Sequence, residues 1–226
     1  MATPQRKLDI VVLVSGNGGN LQAIMDAIAG KELPATIRAV ISNREDAYGL
    51  RRAAAAGIPV AVVNHREFPD RQAYDQALRA VIDRYHPGLV VLAGFMRILT
   101  PGFVAHYAGR MLNIHPSLLP AFTGLNTHQR ALEAGVKEHG ASIHFVTADL
   151  DAGPVIVQAR LPVTPADTAE TLASRVKLLE HQIYPLAIRW FAEGRVRLQD
   201  DQVIFDDKPL RAPLDYAQIS GTVSPS

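Results

Sequence analysis

Four short runs dominated by Val, Ile and Leu punctuate the first hundred residues: LDIVVLV (8–14), TIRAVIS (36–42), PVAVVN (59–64) and LVVLAG (89–94). Runs this short that are apolar almost throughout suit strands buried on both faces. The stretches between them, NLQAIMDAIAG, DAYGLRRAAAAG and PDRQAYDQALRAVIDRYHPG, are amphipathic and long enough for helices, and the last two end in Gly or Pro-Gly, where a helix stops. Strands alternating with helices predict a mostly parallel sheet with helices on both faces, a Rossmann-like α/β fold. RMLNIH (110–115), ASIHFVT (141–147) and PVIVQARLPV (154–163) continue as strands, with THQRALEAG (127–135) as a short helix. Residues 168–194 read as one long helix bent at Pro185, followed by two short strands in RVRLQ and QVIFDD. No repeat and no low-complexity linker divides the 226 residues, so one domain over 1–226 is expected. Its core spans about 8–194, and residues 1–7 and about 206–226 are expected to be loose.

Composition narrows the partners. Lys and Arg number 23 against 22 Asp and Glu, a formal charge of +1, so no overall field draws the chain to nucleic acid or membrane. There is no cysteine, which excludes disulfides, thiol nucleophiles and thiolate metal sites. The opening MATPQRKLDIVVLVSGNGGN is unlike a signal sequence, and no apolar run approaches a membrane span. A soluble, cytoplasmic protein is expected.

Between the first strand and first helix lies Ser15-Gly16-Asn17-Gly18-Gly19-Asn20. Backbone N–H groups at a helix start can hold a phosphate, which makes this turn a candidate anion site. A dinucleotide fingerprint would need Gly where Leu21 stands, and an acidic residue where Ser42 and Asn43 end the second strand. NAD is therefore not expected. The alternative is a tight turn that needs Gly only for close packing.

The apolar run MLNIHPSLLP (111–120) carries two polar interruptions, Asn113 and His115. Residues i and i+2 of a strand share a face, so amide and imidazole project together, and Pro116 ends the strand beside them. His144 lies in a later strand, and Asp151-Ala152-Gly153-Pro154 is a turn signal between two strands. Loops beyond the carboxyl ends of strands build the crevice of such folds, where these groups could converge. An amide and a protonated imidazole can donate to an oxyanion while a carboxylate favours the imidazolium, an apparatus for acyl transfer to an external nucleophile. The alternatives are a turn-forming Asp151 and a hydrogen-bonded core His144. No G-x-S-x-G surrounds Ser117, and His139 and His144, five apart on a strand, face oppositely; neither a serine hydrolase nor a metal site is expected.

SGNGGNLQ, LAGFMRIL, LNIHPSLLPAFTG, the helix start at Thr127-His128 and LDAGPVI together resemble the folate-dependent formyltransferase family, in its glycinamide ribonucleotide branch. The resemblance runs from Leu8 to near Gly194. It implies Asn113, His115 and Asp151 as the catalytic trio. It also implies a substrate phosphate at Gly18, Gly19 and Asn20 assisted by Lys177, and a ribose at Glu180. Met96, Arg97, Ile98 and Leu99, with Asn113, would line the folate pocket, Arg71 would meet the folate's glutamate carboxylate, and Ser142 and His144 would support the site. The implied reaction moves the formyl group of 10-formyltetrahydrofolate to the amine of glycinamide ribonucleotide, in purine (IMP) synthesis, without a metal. Two positions depart from the family pattern: Gly19 stands where relatives often carry Ser, and Ala121-Phe122-Thr123 lacks a Lys some relatives have. Rivals are a methionyl-tRNA formyltransferase, which would add a basic RNA-binding domain, a formyltetrahydrofolate hydrolase, with an extra regulatory domain, and a non-catalytic nucleotide-binding module. A monomer or homodimer is expected.

Overall fold

The structure, a computed structural model, describes residues 7–220. Strands β1 (Leu8–Val14), β2 (Ala35–Ser42), β3 (Val60–Val62), β4 (Leu89–Leu92) and β5 (Met111–His115) lie parallel, in the spatial order β3-β2-β1-β4-β5. β6 (Glu138–Phe145) and β7 (Val155–Pro162) extend the sheet antiparallel beyond β5. β8 (Val196–Gln199), β9 (Gln202–Phe205) and β10 (Lys208–Pro209) form a small antiparallel sheet of their own. β11 (Leu214–Asp215) then returns to the main sheet as its eighth strand, parallel to β7. The helices are α1 (Gly19–Ala29), α2 (Tyr48–Ala55), α3 (Arg71–Asp83), α4 (Pro101–His106), α5 (Thr127–Glu133), α6 (Ala169–Ala192) and α7 (Tyr216–Ser220).

Residues of β1 show why a continuous apolar run was required. Ile10, Val12 and Val14 enter a core shared with Leu21 and Ile24 of α1 and Val176 and Ile183 of α6. Val11 and Leu13 enter a second core with Tyr74, Leu78 and Ile82 of α3 and Phe103 of α4. Both faces of the strand are thus dry, as a parallel sheet between two helical layers demands. Strand order reverses between β1 and β4, and the crevice at that switch point is where such folds bind ligands.

Three details differ from the sequence reading. β3 is only three residues long, an exposed edge strand rather than the full run PVAVVN. α4 was not anticipated; Thr100 caps it by accepting from the Phe103 N–H, with Pro101 in the first turn. The single long helix expected over 168–194 is present as α6, with Pro185 inside it. The tail expected to be loose from about 206 is ordered through Ser220: β11 pairs with β7, Arg160 meets Asp215 at 3.4 Å, and Arg195 grips Asp206 with two nitrogens at 2.7 and 2.8 Å. Residues 1–6 and 221–226, which that expectation also covered, lie outside the described residues.

Candidate active site

On β5 the side chains alternate between two destinies. Leu112 and Ile114 join the core beneath α6, whereas Met111, Asn113 and His115 face the other way. Met111 is covered by the α3–α4 core; past it the apolar packing ends, and the next two residues on that face are polar. β6 supplies their cross-strand partners: Asn113 lies opposite His144, and His115 opposite Ser142.

Hydrogen bonds then fix each group. His144 Nδ1 lies 2.9 Å from the Phe145 carbonyl, an acceptor only, so Nδ1 carries the proton. Burial holds the His144 imidazole below its ordinary pKa, which keeps it neutral. Its Nε2 therefore accepts, and the Asn113 amide donates to it at 3.1 Å. The amide is thereby oriented, with its second N–H uncommitted to His144.

His115 is held from both sides: Nε2 donates to the Phe122 carbonyl at 2.8 Å, while Nδ1 faces Asp151 Oδ2 at 3.4 Å. The first is a full hydrogen bond and the second is looser, so Nδ1 is the nitrogen free to serve another group. Asp151 sits at φ 52° in the turn the sequence marked, with its side chain only 8% exposed. Its Oδ2 also accepts from the Gly124 N–H at 2.8 Å, and its Oδ1 stands 4.0 Å from His144 Nε2. Gly153 lets this turn lie flat on β6, since a Cβ there would collide with the Phe145 carbonyl oxygen. Ser142 works below: its hydroxyl donates to the Ser117 carbonyl at 2.7 Å and accepts from the Leu119 N–H at 3.0 Å, pinning the loop that carries Phe122. Ser117 donates to the Ala121 carbonyl and is a loop residue.

One narrow cleft is lined by Arg97, Ile98 and Leu99 on one side and by Asn113, His144 and Asp151 on the other. Three of the folate-lining candidates and two of the trio thus converge, whereas Met96 lines another cavity, with Ser15, Asn43 and Arg97. Met96 and Ile98 are 61% and 54% exposed, unusual for side chains so apolar. Arg97 lies with its guanidinium 5.7 Å from the Tyr74 ring centre. Arg71 is not brought into this cleft: it opens α3 and is exposed.

The Gly-rich turn divides between the two readings it allowed. Gly18 has φ 75°, and a Cβ on it would stand 2.7 Å from the Gly49 Cα, so Gly18 is required by backbone packing against α2. Arg52 of α2 holds the turn from behind, donating to the Asn17 carbonyl at 2.9 Å and its side-chain oxygen at 3.0 Å. Gly19 is different. A Cβ there would meet Lys177 Cε at 2.8 Å and His181 Nε2 at 3.1 Å, so these side chains of α6 fill the space over the turn. No side chain caps α1, which leaves its first N–H groups for another acceptor. Gly19, Lys177 and His181 line a groove of about 740 Å³ between α1 and α6. Asn20 donates to Glu180 Oε2 at 2.7 Å, and burial raises the Glu180 carboxyl above its ordinary pKa.

Several contributors had no signal in the sequence: Arg52 behind the turn, the Phe122 carbonyl, and Tyr184, whose buried hydroxyl lies 2.9 Å from the Leu92 and 3.0 Å from the Leu112 carbonyls. Among the described residues, no group of three or more His, Asp or Glu side chains is placed to hold a metal ion, and no helix is long and apolar enough to cross a membrane.

The sequence profile of the family described as formyl transferase matches residues 8–188. The chain is 54% identical over 210 residues to the phosphoribosylglycinamide formyltransferase of Escherichia coli (strain K12), covering 93% of this chain and 99% of that protein. It is 49% identical over 201 residues to the enzyme of the same name from Haemophilus influenzae, covering 89% and 95%. Among solved structures, phosphoribosylglycinamide formyltransferase from Coxiella burnetii superposes with a TM-score of 0.89 at 59% identity, covering 93% of this chain and 99% of that one. Matched over most of its length in both sequence and fold, the chain belongs to the formyl transferase family.

Proposed function

We propose that the protein transfers the formyl group of 10-formyltetrahydrofolate to the primary amine of glycinamide ribonucleotide, giving the formylated nucleotide and tetrahydrofolate. The observation that carries this reading is the cleft in which Asn113 and Asp151 face the 97–99 segment, with His115 held beside them. The identity to relatives that bear this activity in their names supports the choice of substrates.

In this mechanism the neutral amine attacks the formyl carbon, forming a C–N bond and a tetrahedral oxyanion. The free N–H of Asn113 and the Nδ1–H of His115 stabilise that oxygen. Asp151, 3.4 Å from His115, faces that imidazole with a carboxylate and orders the water that carries one proton from the amine to the folate nitrogen as the old C–N bond breaks. Neither a covalent enzyme intermediate nor a metal is needed. His144 sets the Asn113 amide and Ser142 the loop above. The nucleotide phosphate lies at Gly18 to Asn20 with Lys177, and the ribose at Glu180. Met96, Arg97, Ile98 and Leu99 enclose the folate, and Arg71, exposed at the start of α3, is the proposed partner of its glutamate carboxylate.

Incubation with both substrates, then with each omitted, tests the reading by product mass. Formylated nucleotide formed only when both are present is expected. Folate turnover without the nucleotide would assign hydrolysis instead.

A further inference from the structure

Ser15 ends β1 and begins the Gly-rich turn, yet its strongest contacts are with another segment. Its N–H donates to the Gly94 carbonyl at 3.1 Å, and its Oγ accepts from the Met96 N–H at 2.8 Å. The two bonds straddle Phe95, whose buried ring belongs to the α3–α4 core. The Ser15 hydroxyl proton goes to Asn43 Oδ1 at the end of β2, an amide oxygen that can only accept. That fixes the polarity: the proton points toward β2, and the lone pair is left for Met96. A hydroxyl committed in this way has no base beside it and is not a nucleophile.

At its far end, the 95–100 segment is held by Asp75, whose buried Oδ2 accepts from the Thr100 N–H at 2.6 Å. Residues 95–100 form neither helix nor strand. A segment without its own backbone ladder takes its shape from such anchors, because its N–H groups must find partners elsewhere. Between the anchors lie Arg97, Ile98 and Leu99, the residues that line the cleft opposite Asn113 and Asp151. Ser15 stands at the switch point between β1 and β4 and joins three strand ends there.

We infer that Ser15 is a positioning residue for the co-substrate: through the Met96 N–H, with its proton held by Asn43, it sets the path of the 97–99 segment that receives the folate. The inference rests on the folate reading of that segment. Ser15 shares its chain segment with the phosphate turn but acts on the other ligand.

The test is Ser15→Ala, read by steady-state kinetics and by amide hydrogen exchange. Loss of one hydrogen bond to a part-buried N–H should raise the folate KM roughly 3- to 10-fold, with the nucleotide KM and kcat within about twofold. Exchange at the Met96 amide should quicken at least about tenfold, while Val12 and Leu13 in β1 keep their protection. Asn43→Ala, which leaves the hydroxyl in place but frees it to rotate, should shift the same quantities in the same direction by less. It carries the test if Ser15→Ala does not fold. An unchanged folate KM with a quickened Met96 amide, or equal rises in both KM values, would make Ser15 a packing residue and overturn the inference. Failure of the folate reading looks different: the wild-type rate would not depend on 10-formyltetrahydrofolate at all.

Discussion

At Gly19, backbone donors and side chains compete for one volume. A methyl group placed there would meet Lys177 Cε at 2.8 Å, near the end of a flexible side chain rather than backbone, so the fold can yield by moving Lys177. Gly19→Ala is therefore expected to leave stability nearly unchanged while displacing the Lys177 side chain that lies over Gly19. The nucleotide KM should rise about 3- to 10-fold and the folate KM should not, as for a contact made equally in ground and transition states. Titration of both ligands into the variant checks this; equal weakening of both would move the phosphate away from the turn. Gly18 makes the contrast. Its positive φ and its contact with Gly49 are structural, so substitution there costs stability first. Two adjacent glycines thus answer to different constraints, which the letters alone do not separate.

At the scale of elements, what was legible is what a short sequence window can hold. Buried strands show as unbroken apolar runs, and Asn113 and His115 show as two polar residues at strand spacing. β3 was read too long because an edge strand loses partners on one side while its sequence stays β-like. α4 spans six residues, and β10 and β11 two each, too few to display a period. The Ser15–Met96 bond joins residues 81 apart, and the Tyr184 hydroxyl reaches back 92 and 72 residues; no local pattern encodes such distances. The start of α6 was marked by its own cap. Thr168 accepts from the Thr171 N–H at 3.2 Å, and Thr171 Oγ1 accepts from the Thr168 N–H at 2.9 Å. Thr168→Ala should cost about 1 kcal/mol in denaturant unfolding. Buried Leu172 and Val176 seat the helix between the cap and Lys177, so the nucleotide KM should stay within about twofold. A large KM change at full stability would mean that the cap shapes the site directly.

For the whole molecule, buried histidines couple stability to acid. His139 Nε2 lies 3.2 Å from His128 Nδ1, and burial, with the nearby His128 and His115, lowers the His139 pKa to about 4. The unfolded chain takes up this proton as pH falls through about 6.5, whereas the folded protein resists until about 4. Its contribution is therefore complete above the unfolded value and is lost as pH drops through that window, on the order of 3 kcal/mol in all. His128, also lowered by burial, acts in the same sense. Denaturant unfolding between pH 7.5 and 4 should show wild type losing stability more steeply than His139→Gln; parallel profiles would mean that the site titrates near its ordinary value.

The trio from β5 and the Asp151 turn is the central claim for the whole molecule, and Asp151→Asn tests it with the fold kept. Asn retains an oxygen to accept the Gly124 N–H, now at 2.8 Å, but removes the charge that faces His115. Single-turnover formyl transfer, measured beside the affinities of both substrates, is the decisive comparison. A fall of about a hundredfold or more in the transfer rate is expected, with both affinities within a few-fold of wild type. A transfer rate close to wild type would reduce Asp151 to a turn residue and contradict the proposed chemistry.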